Sequence, residues 1–333
     1  MKTIASVFLI MLLFVSSCSG PRLNFDKGII SPIPAGFPAV NSIFDDYNSD
    51  LKITWSEKNF TLIFSSNRNS FGNDFDFISY QGRIEFDLID GDFKMTVSQR
   101  DNALLTALNS EHNELGPVFT HDYPHFGPYY NKEEDVKRFF YTSDPEGDLD
   151  IFCGWYQFGN TGFVPEGDPF PLTPLNTVHN EGYLSIHDGA TNNRESVYFM
   201  SDRDGSYDIY LAVSEEGKLI SESASASVIR SSVLSSIADD KCPYINGNMM
   251  VFTSDRAGGF GGFDLWYSLY NGQGWSAPVN MGADINTEYD EYRPVIVSTR
   301  EEGFLNDLMI FSSNRSGGYG GFDLYYVGIP RRE

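Results

Sequence analysis

The chain is a succession of short apolar runs separated by polar turns, and this pattern predicts strands. Runs such as 292–298, 308–312 and 322–327 are rich in β-branched and aromatic residues and are bounded by Gly, Asn and Asp. No segment keeps a helical period, and 133–138 is at most one helical turn inside an insertion. The chain is therefore predicted to be all-β.

Two sequence signatures recur five times in alternation. The first runs from Ser-Asp/Asn-Arg through glycines to Phe/Tyr-Asp-Leu/Ile-Tyr/Trp, and it is clearest at 251–266 and 310–325. Its aspartates, which we call the hairpin aspartates, are Asp76, Asp150, Asp208, Asp264 and Asp323, at intervals of 74, 58, 56 and 59 residues. The second, the acidic signature, occupies 41–46, 109–114, 176–181, 235–240 and 286–291. Five copies of each predict five units of four short strands.

These repeats resemble the WD-type propeller repeats of the TolB family, most strongly in units 3, 4 and 5. Unit 2 departs from the pattern, because Ser143-Asp144-Pro145 lacks the arginine. The resemblance implies a five-bladed β-propeller of four-stranded antiparallel blades. The last unit has no fourth strand, and 35–40 resembles the segment 274–279 that precedes the unit 5 signature. An N-terminal strand is therefore expected to close the ring and cover an open edge.

The N-terminus has the features of a targeting segment. Lys2 is followed by an apolar run, 4–15, that is too short to span a bilayer. Val15-Ser16-Ser17-Cys18 resembles the lipobox of bacterial lipoproteins, in which the cysteine thiol receives a diacylglycerol. The alternative is an ordinary cleavage site beside an incidental cysteine.

This organisation predicts a signal peptide over 1–17, a lipidated tether over 18–32 and the propeller over 33–333. Ser19 after the lipidated cysteine resembles outer-membrane sorting, so the protein is expected on the outer membrane, facing the periplasm or the cell surface. The lipid would be its only membrane contact.

Charge and cysteine content narrow the possible functions. The formal net charge is −23, from 46 acidic and 23 basic residues, which argues against nucleic acid as a partner because cations must replace phosphate counterions. Cys153 and Cys242 fall in units 2 and 4, so buried thiols are expected rather than a disulfide. Nucleophile-elbow, zinc-protease and phosphate-loop motifs do not occur.

The last residue of each acidic signature is a candidate binding group, since it precedes the innermost strand of a blade. Like charges held close together raise each other's pKa or recruit a cation. The alternative is that each carboxylate caps backbone amides at the turn between blades. The candidates at the channel mouth are Asp46, Glu114, Glu181, Asp240 and Glu291, with His112 and His179 beside two of them. No cofactor is predicted, although a cation such as Ca²⁺ could bind there.

The first signature places an arginine and an aspartate on either side of a hairpin. A charge pair there is expected to staple the two strands, while the glycines supply positive φ where the chain reverses. The predicted pairs are Arg68 with Asp76, Arg203 with Asp208, Arg256 with Asp264 and Arg315 with Asp323.

From these features the sequence favours a non-enzymatic envelope lipoprotein, monomeric by itself, that binds a protein or peptide. Partner contact is expected at the insertion 121–137, which carries Tyr123, Phe126, Tyr129 and Tyr130. The alternative is a propeller that binds or cleaves glycans with channel-mouth carboxylates. Glycosidic cleavage requires unequal carboxylates, whereas the five signatures look repetitive.

Overall fold

The computed structural model describes residues 28–54, 58–87, 93–99, 102–120, 137–159, 162–187, 194–215, 219, 224–300 and 303–332. It confirms the all-β prediction, because the strands form five antiparallel sheets arranged as the blades of a propeller. The signal peptide, Cys18, the first part of the tether and the aromatic insertion residues Tyr123, Phe126, Tyr129 and Tyr130 lie outside the described residues. No helix in the described part of the chain is long and apolar enough to cross a membrane.

The strands follow the predicted order, with one short strand ahead of the first blade and a fifth strand in blade 2 that was not predicted. They are β1 (Ala35–Gly36); in blade 1, β2 (Asp46–Thr54), β3 (Asn59–Ser66), β4 (Asp76–Phe86) and β5 (Phe93–Gln99), followed by helix α1 (Ala103–Leu108); in blade 2, β6 (Glu114–Phe119), β7 (Lys137–Ser143), β8 (Asp150–Gly159), β9 (Gly162–Pro165) and β10 (Phe170–Pro171); in blade 3, β11 (Glu181–His187), β12 (Ser196–Ser201), β13 (Asp208–Ser214) and β14 (Ala226–Arg230); in blade 4, β15 (Asp240–Asn246), β16 (Met249–Ser254), β17 (Asp264–Leu269) and β18 (Val279–Asn280); in blade 5, β19 (Glu291–Val297), β20 (Asn306–Ser313) and β21 (Asp323–Pro330). The first strand of each blade, β2, β6, β11, β15 or β19, borders the central channel and is called an inner strand.

An N-terminal strand closes the ring, as predicted. Strand β1 pairs antiparallel with β21 and becomes the fourth strand of blade 5. The segment 28–32, predicted as the end of the tether, packs against the same blade. The Ile30 side chain there is fully buried, and the Ile30 backbone exchanges hydrogen bonds of 2.9 and 2.8 Å with the Asn306 amide. The first and last parts of the described chain are thus held together.

Helix α1 is an element that the sequence pattern did not predict. Its six residues are too few to show a helical period, but Asn102 caps it by accepting a hydrogen bond from the Leu104 amide. The helix buries Leu104, Leu105 and Leu108 in a cluster with Phe77 and Tyr141. Tertiary packing, rather than periodicity, therefore stabilises this single turn and a half.

The acidic signature joins each blade to the one before it. The backbone amide of its last residue donates to the carbonyl of the residue that precedes the hairpin aspartate of the previous blade, at 2.6–2.8 Å in all five copies. The side chain of the first signature residue bonds the backbone N–H and the backbone C=O of one residue in the previous blade's third strand. Asn286 does so with Leu265. The repeated signature is therefore the connection between blades.

The first glycine of each hairpin supplies positive φ, as predicted, but the later glycines have another role. Positive φ occurs at the first glycine, Gly258 or Gly317, but not at the glycines that follow. A Cβ on Gly261 would lie 2.6 Å from the Thr287 carbonyl oxygen, and one on Gly320 would lie 2.0 Å from that of Phe44. These glycines are needed because the hairpin touches the backbone of the next blade.

Every inner strand bulges at its third residue. The ladder register shifts directly after the second residue of each inner strand. The third residue has positive φ in all five blades, although glycine occupies the position in blade 2 alone. These residues are Asn48, Gly116, Tyr183, Cys242 and Arg293. The bulge turns them toward the channel.

Candidate functional site

The five acidic-signature carboxylates do not form a ring around the channel mouth. Each is at most 1% exposed and points into its own blade. It caps the turn by accepting a hydrogen bond from the backbone amide four residues earlier, as Asp46 does from Ser42 at 2.5 Å and Glu291 from Thr287 at 2.8 Å. In blades 1, 3 and 5 a serine hydroxyl also donates to the carboxylate. The prediction of an open cation-binding ring is therefore corrected.

The repeat arginines pair with these buried acids and not with the hairpin aspartates. Arg68 lies 2.5 Å from Asp46, Arg203 lies 3.1 Å from Glu181, Arg315 lies 2.9 Å from Glu291, and Arg256 pairs with Asp240. Each guanidinium also donates to the carbonyl six residues before the acid and packs over a phenylalanine of the second strand. We call this arrangement the arginine clamp.

The hairpin aspartates accept hydrogen bonds from groups other than the repeat arginines. Asp264 and Asp323 each accept a bond of 2.7 Å from a backbone amide in the glycine turn. Asp76 accepts from Asn69 at 3.0 Å, and Asp208 pairs with Arg230 at 2.6 Å. The predicted staples are thus replaced by turn caps and by one cross-strand ion pair.

Neither predicted histidine joins a signature acid. The His179 side chain is exposed, and its Nδ1 lies 3.9 Å from the Asp202 carboxylate. The backbone amide of His112 donates to the Ser110 hydroxyl. Among the described residues no group of three His, Cys, Asp or Glu side chains is arranged to hold a metal ion. Cys153 and Cys242 are buried thiols, as expected.

Blade 2 has the partner groups of the arginine clamp but not the arginine. Its equivalents of the clamp partners are Glu114, the hydroxyl-bearing Ser143, the Leu108 carbonyl and the stacked rings of Tyr141 and Phe152. Pro145 stands where the other blades have arginine. Glu114 therefore relies on the amide and hydroxyl of Ser110, at 3.2 and 2.6 Å. Burial raises the pKa of Glu114 to about 7. Burial also raises the pKa of Glu291, but there the charge of Arg315 opposes the rise.

The stability of the protein should depend on whether Glu114 is protonated. Folded Glu114 binds its proton more tightly than the unfolded chain, whose pKa is near 4.5, so the free energy of unfolding should fall as pH rises from about 4.5 to about 7. The expected loss is about 3 kcal/mol. Urea unfolding across this range measures it, and Glu114→Gln should flatten the curve because the amide does not titrate. An equally steep curve for that variant would assign the effect to other groups.

The blade 2 hairpin carries further carboxylates, and one of them, Asp144, acts on Glu114. Asp144 accepts hydrogen bonds from both the backbone and side-chain nitrogens of Asn113, at 2.8 and 2.6 Å, and its charge helps to raise the pKa of Glu114. Burial, with the neighbouring charges of Asp148, Glu181 and Glu146, raises the pKa of Asp150 to about 6. The pKa values of Glu114 and Asp150 are therefore shifted to different extents, whereas the repetitive signatures had suggested equivalent carboxylates.

Aromatic side chains surround the channel opening on the face where the inner strands begin. We call this opening the channel mouth. Tyr47 lies 4.8 Å from Phe75 and 5.7 Å from Phe322, and Tyr292 lies 5.7 Å from Phe263, measured between ring centroids. The half-buried rings of the mouth are Tyr47, Phe75, Tyr207, Phe263, Tyr292 and Phe322.

One cation is held at the mouth. The Lys241 ammonium lies 4.3 Å above the Tyr207 ring and 4.7 Å above the Phe263 ring, and it pairs with Asp239 at 2.9 Å. The sequence analysis missed this aromatic surface. Its signal was present, since an aromatic residue directly precedes the hairpin aspartate in four of the five repeats.

The fold and its mouth define a five-bladed propeller with an aromatic opening at one end of its central channel. No family model and no curated protein matches the sequence. Solved structures share the architecture. An endo-arabinase from Bacteroides thetaiotaomicron is similar over 91% of this chain and 98% of its own, with a TM-score of 0.54 at 12% identity. A GH62 hydrolase in complex with xylotriose is similar over 91% and 96%, with a TM-score of 0.54 at 8% identity.

An α-L-arabinofuranosidase from Podospora anserina, in complex with cellotriose, is similar over 90% of this chain and 94% of its own, with a TM-score of 0.50 at 11% identity. At these identities the likeness is one of fold. It nevertheless corrects two expectations, because these neighbours are glycoside hydrolases. The resemblance to TolB and WD-type repeats is wrong, and so is the interpretation of the chain as a non-enzymatic protein-binding scaffold.

Proposed function

We propose that this protein acts on carbohydrate, binding a glycan at the channel mouth and cleaving a glycosidic bond beside blade 2. The observation that carries the proposal is the distinct chemistry of Glu114. It is the one signature acid without an arginine, and its pKa of about 7 suits a proton donor at neutral pH. The solved glycoside hydrolases of the same fold support this class of activity.

The mouth has the composition of a small-molecule site. Flat aromatic rings provide apolar surface, while Lys241 and Asp239 supply polar groups at its edge. Trp266 and Trp275 are not part of it, since both belong to a cluster between blades 3 and 4. Stacking would therefore involve tyrosine and phenylalanine rings.

Glycosidic cleavage requires a protonated carboxyl to protonate the leaving oxygen and an ionised carboxylate to attack the sugar or activate water. We assign the first role to Glu114 and the second to Asp144, whose charge already acts on Glu114. Glu114 is 1% exposed and bonded to Ser110. The reaction therefore requires its carboxyl to exchange the Ser110 bonds for the glycosidic oxygen when substrate binds.

The experiment is a hydrolysis and binding screen of the mature protein with arabinan, xylan, mannan and other polysaccharides and aryl glycosides. We expect cleavage of at least one substrate, with activity declining above about pH 7 as Glu114 loses its proton. Glu114→Gln should lower kcat at least about 100-fold while binding is retained.

The matched control is Glu111→Gln, an exposed acid of the same turn that should leave kcat unchanged. A panel that yields neither cleavage nor binding would refute the proposal, and so would full activity of Glu114→Gln. The lipid anchor at Cys18, the outer-membrane location and the envelope partner stay predictions from the sequence.

A further inference from the structure

A buried cation lies in the channel below the mouth. Arg293, the third residue of inner strand β19, is fully buried. Its Nη2 donates to the Pro117 carbonyl of blade 2 at 3.2 Å, and its guanidinium carbon lies 5.6 Å from the rings of Tyr183 and Tyr244, in blades 3 and 4. A side chain of blade 5 that contacts three other blades must cross the channel axis. Arg293 therefore occupies the centre of the propeller.

The polar groups around this position are incompletely bonded. Arg293 Nε and Nη1 have no hydrogen-bond partner. The Asn48 side-chain amide also forms no complete hydrogen bond, although the Tyr47 and Tyr183 hydroxyls lie beside it. Asn48 holds the same bulge position on the neighbouring inner strand β2 and is also fully buried. Nearly all buried polar groups in proteins are hydrogen-bonded, and buried guanidinium groups are normally paired. Tyr183 interacts with both Arg293 and Asn48, which places the two side chains at one level of the channel. The two unbonded guanidinium nitrogens of Arg293 therefore indicate a ligand there.

The charge at this level of the channel is positive. The five bulge residues, Asn48, Gly116, Tyr183, Cys242 and Arg293, include a cation and no carboxylate. The level above, formed by the second residues of the inner strands, carries no acid, and its one cation, Lys241, is already paired with Asp239. The signature acids point into the blades, where the clamps neutralise them in four cases.

We propose that Arg293 and Asn48 bind a small monovalent anion, a halide such as chloride, at the centre of the propeller. Arg293 Nε and Nη1 and the Asn48 amide nitrogen supply the donors. Burial raises the pKa of Tyr183 well above its ordinary value, so its hydroxyl keeps its proton and remains a donor. The complete burial of both side chains selects an ion that fits wholly inside the channel, which excludes a sugar acid.

Anomalous diffraction from crystals grown in bromide tests the site directly. We expect a bromide peak within about 3.5 Å of Arg293 Nε or Nη1 and of the Asn48 amide. A map with bromide elsewhere, or with water alone between these groups, would overturn the proposal. This measurement uses the unaltered protein and needs no substrate, so it is independent of whether glycan cleavage is found.

Thermal unfolding provides the second measurement. Bromide added at constant ionic strength should raise Tm by about 3–6 °C in a saturating manner, and Arg293→Met should abolish the dependence. Lys241→Met, which removes the cation of the mouth, should keep it. A halide response that survives in Arg293→Met, or a response to acetate in place of bromide, would contradict halide binding at this position.

Discussion

Replacing Arg256 by methionine is expected to lower the free energy of unfolding by about 3–5 kcal/mol. The substitution keeps a long apolar side chain over the Phe252 ring but removes the one cation that pairs with Asp240 among the described residues. Asp240 is fully buried, and its remaining bond comes from the backbone amide of Ser236 at 2.5 Å. An uncompensated charge would stay in the blade, which is the costly outcome for a buried ion pair.

Urea unfolding at pH 7 measures this loss. The double variant Arg256→Met with Asp240→Asn should recover part of it, because the second change removes the stranded charge. Arg83→Met, at an exposed position of β4, is the matched control and should change stability by less than about 0.5 kcal/mol. If Arg256→Met lowered the free energy of unfolding no more than the control does, the clamp would not contribute measurably to stability.

Pro145→Arg is expected to abolish glycoside cleavage while stabilising the protein. The new side chain would enter the clamp of blade 2, where Glu114, Ser143 and the Leu108 carbonyl occupy the positions that hold arginine in the other blades. A guanidinium beside Glu114 would lower the pKa of that carboxyl and keep it ionised at neutral pH. A carboxylate without its proton cannot act as the acid, so kcat should fall at least about 100-fold.

Stability should move in the opposite direction. Charge-assisted hydrogen bonds in the completed clamp should add about 2 kcal/mol at pH 8, and the decline between pH 4.5 and 7 should disappear because Glu114 no longer holds a proton there. Pro145→Ala is the control, since it removes the proline without adding a cation. NMR titration of Glu114 reports the pKa directly. An unshifted pKa in Pro145→Arg would show that the guanidinium does not reach the clamp.

Arg256→Met removes the arginine from one clamp, and Pro145→Arg adds an arginine where blade 2 lacks it. Four blades carry the arginine clamp as a stabilising feature, and blade 2 carries the same partners without the cation. In the proposed mechanism, the connection that stabilises four blades is the chemical site in blade 2, where Pro145 stands in place of the arginine. The stability cost and the proposed reactivity of Glu114 would have the same physical cause, the burial of a carboxyl that has no cation beside it.

Repetition explains why so much of the fold could be predicted. The apolar runs and the two alternating signatures determined the number of blades, the four-strand pattern and the closing role of 35–40, because each depends on local spacing along the chain. The departure of blade 2 was also visible, as a missing arginine at Pro145. Helix α1 was not, since six residues are too few for a period.

The partners of charged side chains were decided by tertiary structure alone. Arg256 and Asp264 flank one hairpin, which suggested a pair, yet the guanidinium reaches Asp240 at the start of its own inner strand. The direction of the signature acids likewise depends on how one blade packs against the next, which no local pattern specifies.

The channel also shows which features the sequence predicts and which depend on tertiary structure. The sequence determined that five inner strands would meet around an axis, but the bulges that point Asn48 and Arg293 toward it arise from backbone geometry in the assembled ring. Residues separated by hundreds of positions come together there, and their charges and burial are properties of the site rather than of any segment. The sequence by itself thus defined the scaffold, and only the packing of the blades decided which side chains face the channel and which are neutralised inside a blade.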